Sequence, residues 1–242
     1  MVTQSRIIDI HSHILPGIDD GAKTIIDSLA IIQELASQGV TDIIATPHYI
    51  NESIFMSDSK KNKKLADELN KQLKNENIDV NVYLGNEIYI SNNIPELINN
   101  SKISTLAGGR YLLVELPLDE EFPNYEDYLL ELMNQDYKVI LAHPERYTLA
   151  QDDESMLDNL YEMGVLLQCN FGSINGKYGK DAQKLAKKLA KNKMIFAFGS
   201  DIHHPNKNDF IIQARKKLSK YYSAKELEEL FVKNPLKILS SR

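Results

Sequence analysis

Apolar positions along this chain recur with two periods. Short runs such as Ile43-Ile44-Ala45, Leu112-Leu113-Val114 and Val139-Ile140-Leu141-Ala142 are too brief for helices and predict buried strands. Between them, apolar residues stand three or four apart. Residues 27–38 carry Leu29, Ile32, Leu35 and Ala36 at helical spacing, ended by Gly39. Leu65, Leu69 and Leu73 place one stripe on an otherwise polar helix over 60–73. The same reading predicts strands near 6–8, 42–45, 80–84, 111–116, 138–142, 165–169 and 194–199. Further helices are predicted near 95–99, 125–133, 156–163, 180–191, 210–218 and 224–232. Residues 49–59 have no period and are expected to form a mobile flap.

Seven strands alternating with helices imply a parallel sheet. The polar residues choose between an open and a closed one. In Asp9-Ile10-His11-Ser12-His13, alternation puts His11 and His13 on one face. His48, His143 and His203 each follow a predicted strand, and Glu87 and Glu115 stand at two more. Only a closed barrel brings so many C-terminal strand ends round one point. A single α/β domain over residues 1–242, a distorted seven-stranded barrel, is therefore expected. Paired imidazoles beside carboxylates suit a divalent metal.

Composition narrows the class. The 242 residues are 43% hydrophobic, enough for a large core, and the net charge is −6. That charge gives no electrostatic reason to bind nucleic acid or an anionic membrane. Lysines at 60–64 and 184–193 interleave with apolar residues at helical spacing and read as solvated faces. The one cysteine, Cys169, suits a reducing cytoplasm, and no apolar stretch has the length of a membrane span or a signal peptide core. Gly172-Ser173-Ile174-Asn175-Gly176-Lys177 has one residue too few between its glycines for a phosphate loop, and Tyr178 stands where a hydroxyl would hold magnesium. Cys169 lacks the arginine six positions on that a cysteine phosphatase needs, because Asn175 is there. It reads as a core residue.

The ordered motifs His11-Ser12-His13, Asp19-Asp20-Gly21, Thr46-Pro47-His48, Gly85-Asn86-Glu87, Val114-Glu115-Leu116-Pro117, His143-Pro144-Glu145-Arg146 and Gly199-Ser200-Asp201-Ile202-His203 resemble the polymerase and histidinol phosphatase (PHP) superfamily of metal-dependent phosphoesterases. More closely they resemble the manganese-dependent tyrosine phosphatases encoded with capsule and exopolysaccharide genes in Gram-positive bacteria. The likeness runs from Ile8 to the closing Asn234-Pro235-Leu236-Lys237-Ile238-Leu239, with the first six residues as an extension. It implies a PHP-type distorted (β/α)7 barrel and three divalent ions, Mn²⁺ ahead of Fe²⁺, Mg²⁺ or Zn²⁺. One ion would take His11, His13, Glu87 and Asp201; a second Glu87, Glu115 and His143; a third Asp20, His48 and His203. Three such ions outweigh the four carboxylates and leave a positive centre for a phosphate monoester. Arg146 would grip phosphate oxygens, and Asp201 or His203 would move a proton. Branch members carry a second arginine past the last motif, where this chain offers Lys207 as the nearest cation.

The expected role is phosphotyrosine hydrolysis on the tail of a membrane-associated bacterial tyrosine kinase, without nucleic acid or membrane insertion. A small-molecule phosphatase of the histidinol phosphate type and a non-catalytic, metal-stabilised kinase-binding scaffold stay open as alternatives. Asp9 is expected to orient an imidazole, Asp19 to serve a turn, His204 to be exposed, and Glu145 to meet Arg146 or solvent.

Overall fold

A computed structural model describes residues 6–56, 58–205 and 208–241. Its strand segments are β1 (Ile7–Ser12), β2 (Val40–Ala45), β3 (His48–Tyr49), β4 (Asn81–Leu84), β5 (Glu87–Tyr89), β6 (Tyr111–Glu115), β7 (Lys138–Ala142), β8 (Leu166–Asn170) and β9 (Ile195–Gly199). Neighbouring strands are parallel, in the ladders β1-β2-β4 and β3-β5-β6-β7-β8-β9. The helices are α1 (Ile25–Ser37), α2 (Ser59–Asn75), α3 (Ile94–Asn99), α4 (Tyr125–Asn134), α5 (Thr148–Asp152), α6 (Ser155–Glu162), α7 (Phe171–Asn175), α8 (Lys180–Lys191), α9 (Phe210–Leu218), α10 (Ala224–Glu228) and α11 (Asn234–Leu239).

The two ladders join into a distorted barrel with seven strand positions. Strands β2 and β3 are one path broken at Thr46-Pro47, and β4 and β5 are one path broken at Gly85-Asn86. The Gly85 N–H donates to Ala45 O at 2.8 Å and the Glu87 N–H to Pro47 O at 3.2 Å, so both paths stay side by side across the break. Proline has no N–H to donate, which favours the interruption there. At the other seam, the Asp201 N–H donates to His11 O at 2.9 Å and the His13 N–H to Ile202 O at 3.0 Å. The expected strands two and three thus continue past a bend into β3 and β5, which carry His48 and Glu87.

Strand alternation sorts the core into two layers. Ile8, Ile10, Ile44, Leu113, Ile140 and Ala197 form a cluster inside the barrel, and Ile238 from α11 joins it. Ile43, Leu112, Val114, Leu141 and Leu167 face outward and pack with Leu35, Leu69 and Leu160 of the helices. In β1 the pairing with β2 slips between Asp9 and Ser12. That bulge reverses the alternation, so His11 and His13 follow Ile8 and Ile10 onto the interior side while Ser12 pairs with outward-packed Ala45.

Some elements differ from the sequence reading. The helix expected over 224–232 is α10 followed by a π-helical turn at Glu229–Lys233, and α11 continues it through Pro235. The stretch expected as a flap has an antiparallel bridge between Tyr49 and Met56, and residue 57 lies outside the described residues. Lysines 60, 61, 63 and 64 are exposed on α2, as their spacing implies.

Gly199 is where β9 presses on the site. A Cβ there would lie 2.6 Å from His11 Cβ and 2.9 Å from Gln168 Nε2. Gly199→Ala is expected to destabilise the fold by about 1–3 kcal/mol through overpacking, read as a lower urea midpoint with an unchanged m-value.

Candidate metal centre

Nine side chains reach the C-terminal mouth of the barrel from different strands. His11 comes from β1, and His13 and Asp20 from the segment after it. His48 lies on β3, Glu87 on β5, Glu115 at the end of β6, His143 just past β7, and Asp201 and His203 past β9. At the centre is Glu87, fully buried. Its Oε2 lies 3.2 Å from His11 Nε2, 3.3 Å from His13 Nε2 and 2.9 Å from His48 Nδ1. The two Nε2 atoms of His11 and His13 are 3.2 Å apart. Asp201 Oδ1 stands 3.6 Å from the first and 3.5 Å from the second. On one flank, His143 Nε2 is 2.9 Å from Glu87 Oε1 and 3.5 Å from Glu115 Oε1. On the other, Asp20 Oδ1 is 3.6 Å from His48 Nε2 and 3.4 Å from His203 Nε2.

These donors fit divalent ions. Glu87 Oε2 and His48 Nδ1 are buried and close, yet neither has a hydrogen-bond partner. Ligand bonds of about 2.0–2.2 Å set neighbouring donors roughly 3–3.5 Å apart, the spacing found between these atoms. Four overlapping groups bring their donor atoms within 4.8 Å of one another: His13, Asp20, His48 and His203; His11, Glu87 and His143; His11, His13 and Asp201; His48, Glu87 and Glu115. Together they contain all nine residues expected from the motifs.

The surrounding residues decide which atom faces the cluster. The His11 Nδ1 edge lies 2.9 Å from Gln168 Oε1, and His13 Nδ1 lies 2.8 Å from Asp19 Oδ2, so both rings turn Nε2 inward. Asp201 Oδ2 accepts from Arg146 Nη1 at 2.9 Å, Asn170 Nδ2 at 2.7 Å and Tyr178 Oη at 3.2 Å. That leaves Oδ1 for the imidazoles. Gln168 Nε2 donates to Asn170 Oδ1 at 2.8 Å, linking the two supports. His143 and Asp201 have left-handed backbone angles, φ 32° and 49°. Each such angle costs on the order of 1–3 kcal/mol, a strain met often where a site dictates direction.

The charges hold one another in place. Burial works against a charged His11, but Glu87 and Asp201 push its pKa up to about 9. Burial likewise opposes charge on His13, and its carboxylate partners, Asp19 first, raise its pKa well above the ordinary value. Burial would raise the Glu87 and Asp201 carboxyls, yet the imidazoles hold both well below the usual range. Glu115 goes the other way, raised by burial and by Glu87.

Several expectations need correction. Asp9 orients no imidazole: its Oδ1 accepts from the Ser200 N–H at 2.8 Å and the His11 N–H at 3.3 Å. The bulge puts Asp9 opposite Ile43 and off the face of His11, and the seam between β1 and β9 leaves the Ser200 N–H in need of an acceptor. The orienting carboxylate is Asp19, which also accepts from the Gly21 N–H in the turn and from the His48 N–H. Glu145 meets neither Arg146 nor solvent. It is buried, and its Oε1 accepts from the Asn170 N–H at 2.9 Å, because the turn at Pro144–Arg146 sends it inward. Arg146 stays partly exposed and lies over the Tyr178 ring at 4.4 Å. His204 is exposed, and Cys169 is fully buried with its thiol pKa raised by that burial. Lys207 lies outside the described residues. Gln168, Asn170 and Tyr178 were not among the expected site residues. A polar pair at alternate positions of the buried strand Leu166–Asn170 was a usable signal for the first two; Tyr178 had none.

Comparison with known proteins gives consistent results. Residues 7–240 match the family model described as capsular polysaccharide synthesis, CpsB/CapC. The tyrosine-protein phosphatase YwqE of Bacillus subtilis is 34% identical over 208 residues, covering 86% of this chain and 81% of that protein. A crystal structure from work on YwqE and on CpsB of Streptococcus pneumoniae, described as unique metal-dependent tyrosine phosphatases, superposes with a TM-score of 0.86 at 31% identity and covers 98% of this chain and 95% of that one. Histidinol phosphate phosphatase of Lactococcus lactis, in complex with zinc, L-histidinol and phosphate, shares the fold at a TM-score of 0.58 and 15% identity, over 90% of this chain and 94% of that one.

Protonated imidazoles must give up protons to accept a metal. Calorimetric titration of Mn²⁺ into metal-free protein at pH 7.5, in buffers of different ionisation enthalpy, is expected to show at least about one proton released per chain; an unchanged heat across buffers would contradict it. Gln168→Leu and Asp19→Asn are each expected to weaken metal binding by about 10–100-fold, measured by competition with a chelating dye.

Proposed function

The chain belongs to the CpsB/CapC capsular polysaccharide synthesis family, and on that premise we propose that it hydrolyses phosphotyrosine in proteins with divalent metal ions. The substrate we propose is the autophosphorylated tail of a membrane-associated bacterial tyrosine kinase that regulates capsule or exopolysaccharide synthesis. Among the described residues, no helix of this chain is long and apolar enough to cross a membrane. The observation that carries the reading is Glu87 Oε2, with three imidazole nitrogens within 3.3 Å and no hydrogen bond.

In this reading three ions occupy the cluster. His11, His13, Glu87 and Asp201 hold one; Glu87, Glu115 and His143 another; Asp20, His48 and His203 the third. Four carboxylates among the ligands favour hard ions, Mn²⁺ first, with Fe²⁺, Mg²⁺ or Zn²⁺ able to substitute. Such ions supply water activation and neutralise the charge of a transferring phosphoryl group.

The remaining work falls to this chain's own groups. Arg146 spends Nη1 on Asp201 and keeps the rest of its fork for phosphoryl oxygens, as its partial exposure allows. Asp201 stays charged, because Arg146, Asn170 and Tyr178 all donate to Oδ2 and Oδ1 would ligate an ion. It therefore anchors and does not donate a proton. His203 stands about a quarter exposed at the rim, where a leaving phenolate would depart. Cys169 takes no part, since its buried thiol is held protonated.

Mn²⁺-loaded protein is expected to release phosphate from phosphotyrosine peptides, and chelator to abolish this. His143→Ala is expected to lower kcat/KM by on the order of 10²–10³, with the circular dichroism unchanged. Faster turnover of histidinol phosphate than of phosphotyrosine peptide would replace the substrate; unaltered phosphate release by His143→Ala with kinase binding intact would point to a scaffold. Thiol alkylation of the folded protein is expected to leave activity within about twofold, because Cys169 is inaccessible.

A further inference from the structure

The cluster has one cation already committed and one that is not. Arg146 is paired with Asp201 at 2.9 Å, so much of its charge is balanced before any substrate arrives. Lys177 sits beside it. Its Nζ lies 4.9 Å from the centre of the Tyr178 ring, and Arg146 Cζ lies 4.4 Å from the same centre. The Tyr178 hydroxyl donates to Asp201 Oδ2 at 3.2 Å, which ties this ring to the metal cluster. Burial lowers the pKa of the Lys177 ammonium below its ordinary value, with the Asp201 carboxylate opposing that shift and the Arg146 guanidinium adding to it. Among the described residues, no acidic side chain forms an ion pair with Lys177.

The backbone is built to hold it there. Gly176 and Gly179 bracket Lys177-Tyr178 with left-handed angles, φ 92° and 98°. A Cβ on Gly172 would lie 3.1 Å from both Lys177 Cδ and Tyr178 Cε2, so the absence of a side chain lets the pair pack down. Lys177 also lines a cleft of about 590 Å³ that opens beside His203, walled by Ile202, Pro205 and Phe210. His203 of the cluster and Lys177 both line this cleft.

We propose that Lys177 is a substrate-binding residue, the uncommitted cation that holds the phosphoryl group where this cleft meets the metal cluster. The assignment rests on the phosphatase reading above. A phosphate monoester carries roughly two negative charges near neutral pH. An ammonium with no carboxylate partner gains more from meeting that dianion than a guanidinium already neutralised.

The test is calorimetric binding of orthophosphate to Mn²⁺-loaded wild type, Lys177→Ala and Lys177→Arg, which needs no turnover. A charged hydrogen bond of this kind is worth roughly tenfold in affinity. Lys177→Ala is expected to bind orthophosphate roughly tenfold more weakly, and Lys177→Arg to recover to within about threefold. In steady state, Lys177→Ala is expected to raise KM for a phosphotyrosine peptide by roughly the same factor while kcat and manganese content change little. Phosphate affinity and KM within about twofold of wild type in Lys177→Ala would overturn the assignment, as would a wild type that binds no orthophosphate. Orthophosphate binding that weakens in Lys177→Ala, in a wild type without phosphatase activity, would sink the phosphatase reading and uphold the Lys177 site.

Discussion

The buried carboxylate of Glu87 sets the terms for the rest of the molecule. A lone ionised carboxylate in this interior would cost far more than a fold can spare. It stays charged because His11, His13 and His48 crowd its Oε2 from three different directions. Those imidazoles need it equally, since burial alone would strip their protons. The barrel is what makes this mutual dependence possible. Its strands deliver each partner from a separate segment of chain, and no single hairpin or helix could assemble them.

That demand explains departures from regular structure near the mouth. The slip in β1 turns two successive alternate residues inward. The breaks at Thr46-Pro47 and Gly85-Asn86 let His48 and Glu87 continue the strand direction at a new angle. His143 and Asp201 sit in left-handed backbone that residues with a Cβ normally avoid. Together these distortions aim the donors at the same volume. The cost is carried by the apolar layers below, where Ile8, Ile10, Ile44 and Leu113 are almost wholly buried.

Function divides along the same line. The centre of the cluster, His11, His13, Glu87, His143 and Asp201, is buried, with Gln168, Asn170 and Asp19 holding its side chains in position. The rim is open: Asp20, His48, His203, Arg146 and Lys177 all retain exposure there. In the proposed reading, metal ligands belong to both sets, with Asp20, His48 and His203 at the rim, and a phosphate group would be met from the open side by Arg146 and Lys177.

Much of this was legible along the chain. Hydrophobic periods of two and about 3.6 residues identify the strands and most helices, because burial acts locally on each segment. The coincidence of histidines and carboxylates with strand ends was visible for the same reason. Asp9 and Asp19 show where that reasoning ends. Both are aspartates near His11 and His13, and spacing favoured Asp9 as the orienting partner. A one-residue slip in pairing reversed the face, and the loop folded Asp19 back to within 2.8 Å of His13 instead. Glu145 and Tyr178 teach the same lesson, since their partners Asn170 and Asp201 lie 25 and 23 residues away. Local sequence determines which side chains can be buried and with what period. Which buried polar atom meets which depends on register and closure of the sheet, and those are properties of the assembled barrel.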